Sequence, residues 1–583
     1  MAIALRIHLY LFIGILTFGG EVRAQALPAA YKGMLPPGES SPFGKREWRR
    51  LELPTSFGDS LTATRYAPAL RNRLAEAGFL AASVDSIAVT DTAVFYVYTG
   101  PRYAWAQLVT HHIPQEYLAK AGFHERLYRG ETFNPRQLGR LINKLLDQCD
   151  QNGYPFAQVW LDSVVVRGDG VNALLLMDRY TYTTIDSVII KGGLKTNHHY
   201  ITRYLSLNKG APYNQALLNE IPQRLREIPF ARVIKPYEVG MREGKCDVYL
   251  YLDSRKASNL DGILGLQPNN LTGQTVITGD VQFNIMNGLR QGETINLRWQ
   301  RLQTGTSQLD LRFDYPFIAG TPLGGAFKMN VFRRDTLFSQ LQLHAGVNYF
   351  FKGPNYVQLF VENLQTNLIS AVGFQANRFA DTRSTLLGAA FAVRQLDYRF
   401  NPRKGHDVMA SLSAGYRNIL RNPAIDNSFY DGLELRSLLY NANVNAREFF
   451  PVAKRAAIMV ALKGGALLNP NMFRSEAYRI GGLKSLRGFD EQSIFATSYA
   501  ILTLEYKYLL EENSNLFVFL DQGWYEDRFG DSATGDTPFG FGAGINFETR
   551  AGIFSLTYAL GRQFTNDITL RSGKVHFGFS SFF

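Results

Sequence analysis

The stretch ETINLRWQR, Glu293 to Arg301, puts Ile295, Leu297 and Trp299 on one side of an extended chain and Asn296, Arg298 and Gln300 on the other. A period of two marks a strand with unlike faces. SQLDLRFDY repeats it, with Leu309, Leu311, Phe313 and Tyr315 opposite Gln308, Asp310, Arg312 and Asp314. GIFSLTYAL separates Phe554, Leu556, Tyr558 and Leu560 in the same way. Such strands suit two settings. In a soluble sandwich the polar face meets water and the apolar face a second sheet. In a membrane the apolar face meets lipid and the polar face lines a wet interior; every backbone group must then be paired, so the sheet closes into a barrel.

The rest of the chain favours the membrane. Its 583 residues include 41 Phe, 30 Tyr and 52 Gly, a composition rich in aromatic residues and turns. No segment offers the roughly 18 uninterrupted apolar residues of a spanning helix, so any crossing is made by strands. The end, KVHFGFSSFF, sets Val575, Phe577, Phe579 and the terminal Phe583 on one face, with Ser581 interrupting it. From Gly262 to the end there are 322 residues; at roughly 20 per strand and connection this predicts about 16 antiparallel strands. The expected all-β transmembrane barrel occupies 260–583 and follows a polar boundary, SRKASNLDG.

At the other end, Arg6, the apolar run Leu9 to Phe18 and the small residues Ala24 and Ala26 read as a signal peptide over 1–26, too short to span a bilayer. Residues 27–46, with four prolines and three glycines, read as a linker. The net charge of +12 is scattered instead of forming runs, which suits an anionic lipid surface better than nucleic acid. Cys149 and Cys246 form neither a disulfide framework nor a metal motif, and whether they pair is left open.

Between linker and barrel the chain repeats at about 75 residues. Gly130-Glu-Thr-Phe-Asn134 and Gly210-Ala-Pro-Tyr-Asn214 each precede a helical stretch, and each is followed by strands ending in LLLMD and VYLYLD. An earlier copy places Gly78 and Val84 a repeat length before Gly153 and Val159. Each unit reads as strand, two helices and two strands. Asn134 and Asn214 stand where a helix begins and an Asn side chain caps free amides. This α+β pattern resembles the polypeptide-transport-associated (POTRA) domain, with units expected over 47–103, 104–181 and 182–256. The resemblance implies a periplasmic location and sheet edges offered to extended client chains.

Near the C-terminus, GGLKSLRGFD (Gly481 to Asp490) joins two strand patterns. Beyond it, Ala500, Leu502, Leu504, Tyr506 and Tyr508 form an outward face, which turns Glu505 and Lys507 inward; Leu516, Val518 and Leu520 turn Phe519 and Asp521 inward. An arginine carried into the lumen on a loop hinged at Gly481 and Gly482 can meet these carboxylates as a bidentate, partly desolvated pair. Arg487-Gly488-Phe489, followed by Phe519-Leu-Asp521-Gln-Gly523, resembles the Arg-Gly-aromatic loop and Phe-x-Asp-x-Gly strand of the BamA/TamA-type outer-membrane assembly and secretion superfamily. The resemblance implies that Asp521 pairs with Arg487. Three repeats and about 16 strands look nearest to the TamA members, since BamA proteins usually carry five repeats and two-partner secretion transporters two.

No enzyme signature is present: there is no Gly-x-Ser-x-Gly, no His-Glu-x-x-His and no phosphate loop. GFGAGINF reads as a barrel strand, and His198 and His199 are adjacent on a helix and point apart. Neither enzyme activity nor a cofactor, metal or nucleic acid is expected. The expected function is insertion or translocation of unfolded outer-membrane or secreted clients, with outer-membrane lipid and an inner-membrane or periplasmic assembly protein as further partners. The expected gate is a seam between DGILGLQPN, where Gly262 and Gly265 thin the side-chain contacts and Pro268 removes a ladder donor, and the last strand with Phe577, Gly578, Phe579 and Phe583. A two-partner secretion pore is the alternative within the family, and a passive diffusion porin the alternative from another class.

Overall fold

The computed structural model describes residues 27–34, 51, 53–268, 275–303, 306–334, 337–369, 379–399, 401–529, 533–549, 552–564, 568 and 573–582. The expected signal peptide and the terminal Phe583 lie outside these residues. The described chain falls into two compact units, one ending at Thr183 and including 212–215, the other holding the third repeat and everything after it.

In the first unit, the 27–46 linker expectation requires correction. Leu27–Met34 is a strand, parallel to Ala93–Tyr98 and antiparallel to Ser56–Phe57. Pro28 sits near the strand's start, where proline is tolerated. Tyr31 supplies the burial, stacking on Phe95 at 5.2 Å between ring centroids and donating to the Pro54 carbonyl at 2.8 Å. The first repeat thus takes its leading strand from 27–34, followed by helices Ser60–Arg65 and Ala67–Glu76 and strands Ser83–Val89 and Ala93–Tyr98; residues 35–46 lie outside the described set.

The second repeat runs from strand Ala104–His111 through helices Gln115–Ala121, Glu125–Tyr128 and Pro135–Gln151 to strands Gln158–Arg167 and Gly170–Asp178. Its longest helix buries Leu141, Leu145 and Cys149, four residues apart, against the sheet. Asn134 caps it, its side chain accepting from the amides of Arg136 and Gln137 at 2.9 and 3.1 Å. The Gly-x-x-aromatic-Asn segments bond back to the strand that opens each repeat. Gly130 donates to Trp105 at 2.7 Å and Trp105 to Glu131 at 2.8 Å; in the third repeat Gly210 donates to Ile185 at 2.7 Å and Ile185 to Ala211 at 2.8 Å. Gly153 adopts φ 92° with the Tyr182 ring 2.4 Å from where a Cβ would lie, so both its conformation and its space require glycine.

The third repeat comprises strands Thr184–Lys191, Ala231–Arg242 and Lys245–Ser254 with helices His198–Tyr204 and Gln215–Glu227. It is joined to the barrel turns. Asn197 donates to the Arg290 carbonyl at 2.6 Å, Lys352 pairs with Glu220 at 2.9 Å, and the Tyr200 ring lies 2.0 Å from a Cβ built on Gly292. In all three repeats an antiparallel strand stands at a sheet edge: Ser83–Val89, Gln158–Arg167 and Ala231–Arg242. Cys149 and Cys246 are both free and buried.

The barrel has sixteen long antiparallel strands from Asn259–Pro268 to Lys574–Phe582, each paired with the next, and a three-residue strand Thr534–Asp536 beside the end of the thirteenth. Alternation follows the sequence. Leu502, Leu504, Leu516, Val518, Val575 and Phe577 are exposed on the outside, whereas Glu505, Phe519 and Asp521 are buried inside. The wall is uneven. The first strand has 10 residues and the last three have 10, 10 and 9, while the eighth to tenth, Asp381–Leu396, Gly405–Leu420 and Arg436–Ala453, have 16, 16 and 18. Ten residues tilted by about 45° cover about 24 Å, roughly the height of a barrel's apolar band. The far wall therefore rises beyond it. Connections at the third-repeat end are short, the longest being 397–404, whereas 421–435 and 469–497 emerge at the other end.

Burial pushes the Cys149 thiol up to about 11, so it reacts only when its helix opens. Replacing Asn134 by Ala removes two capping bonds worth about 1 kcal/mol together. The expected outcome is roughly fivefold faster labelling of Cys149 by a thiol reagent under native conditions, the factor that such a loss imposes on a local opening equilibrium.

Candidate functional site

The connection 469–497 leaves the eleventh strand, Ala456–Leu468, and returns to the twelfth, Ser498–Leu509, by way of the lumen. It contains a 3-10 turn, Arg474–Glu476, and a short hairpin of Tyr478–Ile480 with Ile494–Ala496. An apolar cluster of Ile480, Leu486, Phe489, Ile494 and Ala496 packs against Tyr499, Ile501 and Tyr525 of the wall. Gly481 and Gly482 turn the tip with φ 108° and 98°, a region costly for other residues. A Cβ on Gly482 would lie 1.7 Å from the Glu491 carboxylate.

This tip carries Arg487 to the thirteenth strand, Asn515–Asp527. Its Nε donates to Asp521 Oδ2 at 2.8 Å and its Nη2 to Asp521 Oδ1 at 2.7 Å, a bidentate pair, while its backbone amide reaches Oδ2 at 3.1 Å. Nη1 donates to Glu505 Oε2 at 2.6 Å, and the guanidinium lies 3.5 Å over the Phe519 ring. Asp521 is 0 % exposed and Arg487 is 9 % exposed. Charges so far from water persist only when paired and fully hydrogen-bonded. Four donors meet the Asp521 carboxylate, the fourth being Thr503 Oγ1 at 2.7 Å. Lys507 Nζ stands 3.7 Å from the second Glu505 oxygen.

The approach depends on glycine in the wall. Thr503 and Glu505 lie directly across from Asp521 and Phe519, which in turn face Gly540 and Gly542. A Cβ on Gly540 would fall 2.1 Å from the Arg487 carbonyl, and one on Gly561 2.6 Å from the Gly488 carbonyl. Gly488 itself, at φ 93°, lies against the Leu560 carbonyl. Gly523 leaves room for Leu486 and Pro538. Gly540 of GFGAGINF and Gly561 of the next strand are therefore the floor on which the loop rests. Thr503 shares the inward parity of Glu505, the signal that would have identified it; Gly540 and Gly561 give no such signal until the loop is placed.

The seam brings together the other predicted residues. Among the described residues the first and last strands pair at Asn259 with Phe582, Leu260 with Ser581 and Asp261 with Ser580. The first strand pairs along all ten residues with the second, and the last pairs over seven with the fifteenth. Gly262, Gly265 and Pro268 belong to the first strand beyond those three pairs; Phe577, Gly578 and Phe579 belong to the last. Behind the seam lies a cavity of about 490 Å³ that Asp261, Arg298, Lys484, Glu491, Phe577 and Phe579 help to line. The loop tip touches both flanks. Lys484 donates to Gln282 of the second strand at 3.3 Å, and Asp490 pairs with Lys574 of the last at 2.7 Å. His198 and His199 remain on their helix with ring centroids 6.1 Å apart, and among the described residues no cluster suits a metal ion.

Comparison with solved structures finds two CdiB proteins of similar fold. CdiB from Acinetobacter baumannii aligns with a TM-score of 0.52 at 13% identity, covering 82% of this chain and 90% of that one. CdiB from Escherichia coli aligns with a TM-score of 0.51 at 14% identity, covering 90% and 97%. BamA from Haemophilus ducreyi lacking POTRA domains 1-3 aligns with a TM-score of 0.40 at 15% identity, covering 82% and 100%. At these identities the CdiB likeness is one of fold. No curated protein sequence matches the chain. Among the described residues no helix is long and apolar enough to cross a membrane. The model of the Omp85 superfamily domain matches residues 287–583, half of the sequence, and the chain belongs to that superfamily.

Proposed function

We propose that this protein assists the assembly of unfolded outer-membrane clients, receiving them on its N-terminal repeats and admitting their strands at the seam of its barrel. The observation that carries the reading is the three-pair junction between first and last strands among the described residues, in a sheet whose other long neighbouring strands pair over seven residues or more. Opening it breaks few ladder bonds and presents two edges, each able to pair with an incoming strand. No nucleotide is needed, because strand pairing and lipid burial in the client supply the driving force.

Other features support the reading. The edge strand Gln158–Arg167 of the second repeat exposes Trp160, Val164, Val165 and Val166, an apolar edge suited to an extended client. Barrels of this class keep short turns on the periplasmic side, and the third repeat sits at the short-turn end, which supports periplasmic repeats. Three α+β repeats, each with a leading strand, helices and two closing strands, support a place near the TamA members. The latch role falls to Arg487 with Gly488, Phe489, Asp521, Glu505 and Phe519, which hold the loop in the lumen. A loop so held argues against a passive diffusion porin. A two-partner secretion pore is the second reading, favoured by the likeness to the CdiB proteins; there the client passes through the lumen.

Two experiments test these roles. Cysteines in place of the directly opposed Leu260 and Ser581 stand at cross-strand distance, within reach of a disulfide. Oxidation is expected to stop client assembly in membranes and reduction to restore it; full activity of the oxidised form would eliminate lateral opening and favour passage through the lumen. Arg487→Ala strands the buried Asp521 carboxylate at a cost of about 3–5 kcal/mol, the scale for breaking one side of a buried pair. Client assembly is expected to fall strongly, with partial recovery when Arg487→Asp is combined with Asp521→Arg. Unchanged assembly in the single variant would remove Arg487 from the mechanism.

A further inference from the structure

A second charge pair inside the barrel has no part in the latch at Arg487. Arg417, on the inner face of the ninth strand, donates from Nη1 to Glu476 Oε2 at 3.1 Å, with side-chain exposures of 0 % and 2 %. Glu476 belongs to the 3-10 turn at the root of the lumen loop, whereas Arg487 is at its tip. The Arg417 guanidinium also donates to the Asn471 carbonyl and, at 3.4 Å, to Ser437, and lies 5.3 Å from the Phe473 ring centre. Ser384 and Ser437 flank Arg417 on the neighbouring strands, small residues that leave room for a guanidinium. Further bonds join the root to the same wall: Gln340 to the Ser475 carbonyl at 3.2 Å, Asn469 to Ser437 at 2.8 Å and Tyr478 to Asn441 at 2.5 Å.

The surroundings are unusual for a group that serves stability alone. Among the described residues, Arg417 Nε, Ser475 Oγ, Ser384 Oγ and Thr366 Oγ1 are buried without a hydrogen-bond partner. A buried ion pair with unsatisfied atoms holds a fold no better than two apolar side chains of the same size; its best-attested use is to fix one arrangement against others. A pair that fixes position yet is weakly held overall suits an element that must be released.

We propose that Arg417 is a positioning residue for the lumen loop, a second latch that pins the loop's root to the tall wall while Arg487 pins its tip to the twelfth and thirteenth strands. The loop is then a crossbeam tied at both ends, and it keeps the outer half of the lumen closed between client events. The loop section 421–435 lies on the same spot: Ile425 and Tyr430 pack with Phe473 in one apolar cluster. Releasing Glu476 frees the cover and the root together while the tip remains on Asp521. The inference rests on the latch reading of Arg487 only in treating the loop as a moving part, and its test uses no client.

The test is the conductance of the purified full-length protein in planar lipid bilayers. Glu476→Gln keeps shape and removes the charge, and Arg417→Met removes it from the wall. Each is expected to raise the time spent in large-conductance openings on the order of tenfold, the scale of a typical coupling between sites. Arg417→Glu combined with Glu476→Arg should bring it back down. Heat-modifiable gel migration verifies that each barrel is folded. As a second reading of position, a cysteine replacing Ser475, which is 0 % exposed, should react with a membrane-impermeant maleimide in the Glu476→Gln background and not in its absence. Folded single variants with unchanged openings and an unreactive residue 475 would overturn the second latch. Loss of client assembly on seam locking would be untouched by that result, so the two readings fail separately.

Discussion

A backbone amide in hydrocarbon without a partner costs several kcal/mol, and this cost fixes the form of the C-terminal half. Every long strand is laddered to its neighbours, and sixteen of them close on themselves. The constraint is met least well where the first strand meets the last, because past Asp261 the register between them ends. An edge left there needs polar company. It has that company on the lumen side, where Asp261, Arg298, Lys484 and Glu491 line a cavity behind the seam. The wall is also shortest there, which brings the interfacial regions of the bilayer nearer to the unpaired groups. A weak junction is tolerable in this place and would not be on the tall wall, where strands of 16 and 18 residues are laddered over their length.

The same low-dielectric logic orders the interior. Asp521 cannot remain charged at 0 % exposure without donors, and the sheet supplies only Thr503. The remaining three donors come from Arg487, two from its guanidinium and one from its amide. The wall is therefore incomplete until the loop arrives, and the loop can arrive only because Gly540 and Gly561 offer bare backbone. Fold and latch are specified by the same residues. At the other end of the loop the arrangement is looser, with orphaned hydroxyls around Arg417 and Glu476. The tip is satisfied in full and the root in part, an asymmetry that makes the root the first tie to give.

How much of this was legible in the sequence follows from the range of the interactions. The period of two in Glu293–Arg301 and its kin is local, so the barrel, its strand number and the inward parity of Glu505, Phe519 and Asp521 could all be read. The Gly-x-x-aromatic-Asn segments are local too, and Asn134 caps its helix as a lone side chain can. The strand Leu27–Met34 was missed because its evidence is remote: Pro28 and the glycines speak for a linker, and only pairing with Ala93–Tyr98 makes it a strand. Arg417 looks like any lumen-facing residue, and its partner Glu476 lies beyond two further strands and a loop. No spacing rule couples positions that far apart. Gly540 of GFGAGINF is of the same kind, since its reason is a backbone that arrives from 53 residues earlier, at Arg487.

The loop's position relative to the seam turns two separate devices into one. Lys484 reaches Gln282 on one flank and Asp490 holds Lys574 on the other, so the tip bridges the very strands whose direct ladder is short. Both ties are exposed, and exposed pairs contribute little on their own. Their effect comes from being carried by a tip that Asp521 holds rigidly, which makes bridging the seam nearly free of ordering entropy. Displacing Arg487 would cost the buried pair and both bridges at once. On the proposed function, a client strand that displaces the tip meets a junction of three pairs with its support removed, whereas thermal opening with the tip in place must break the ladder and the bridges together. The proposed gate then stays sealed at rest, and its edge becomes available when something competes for the loop.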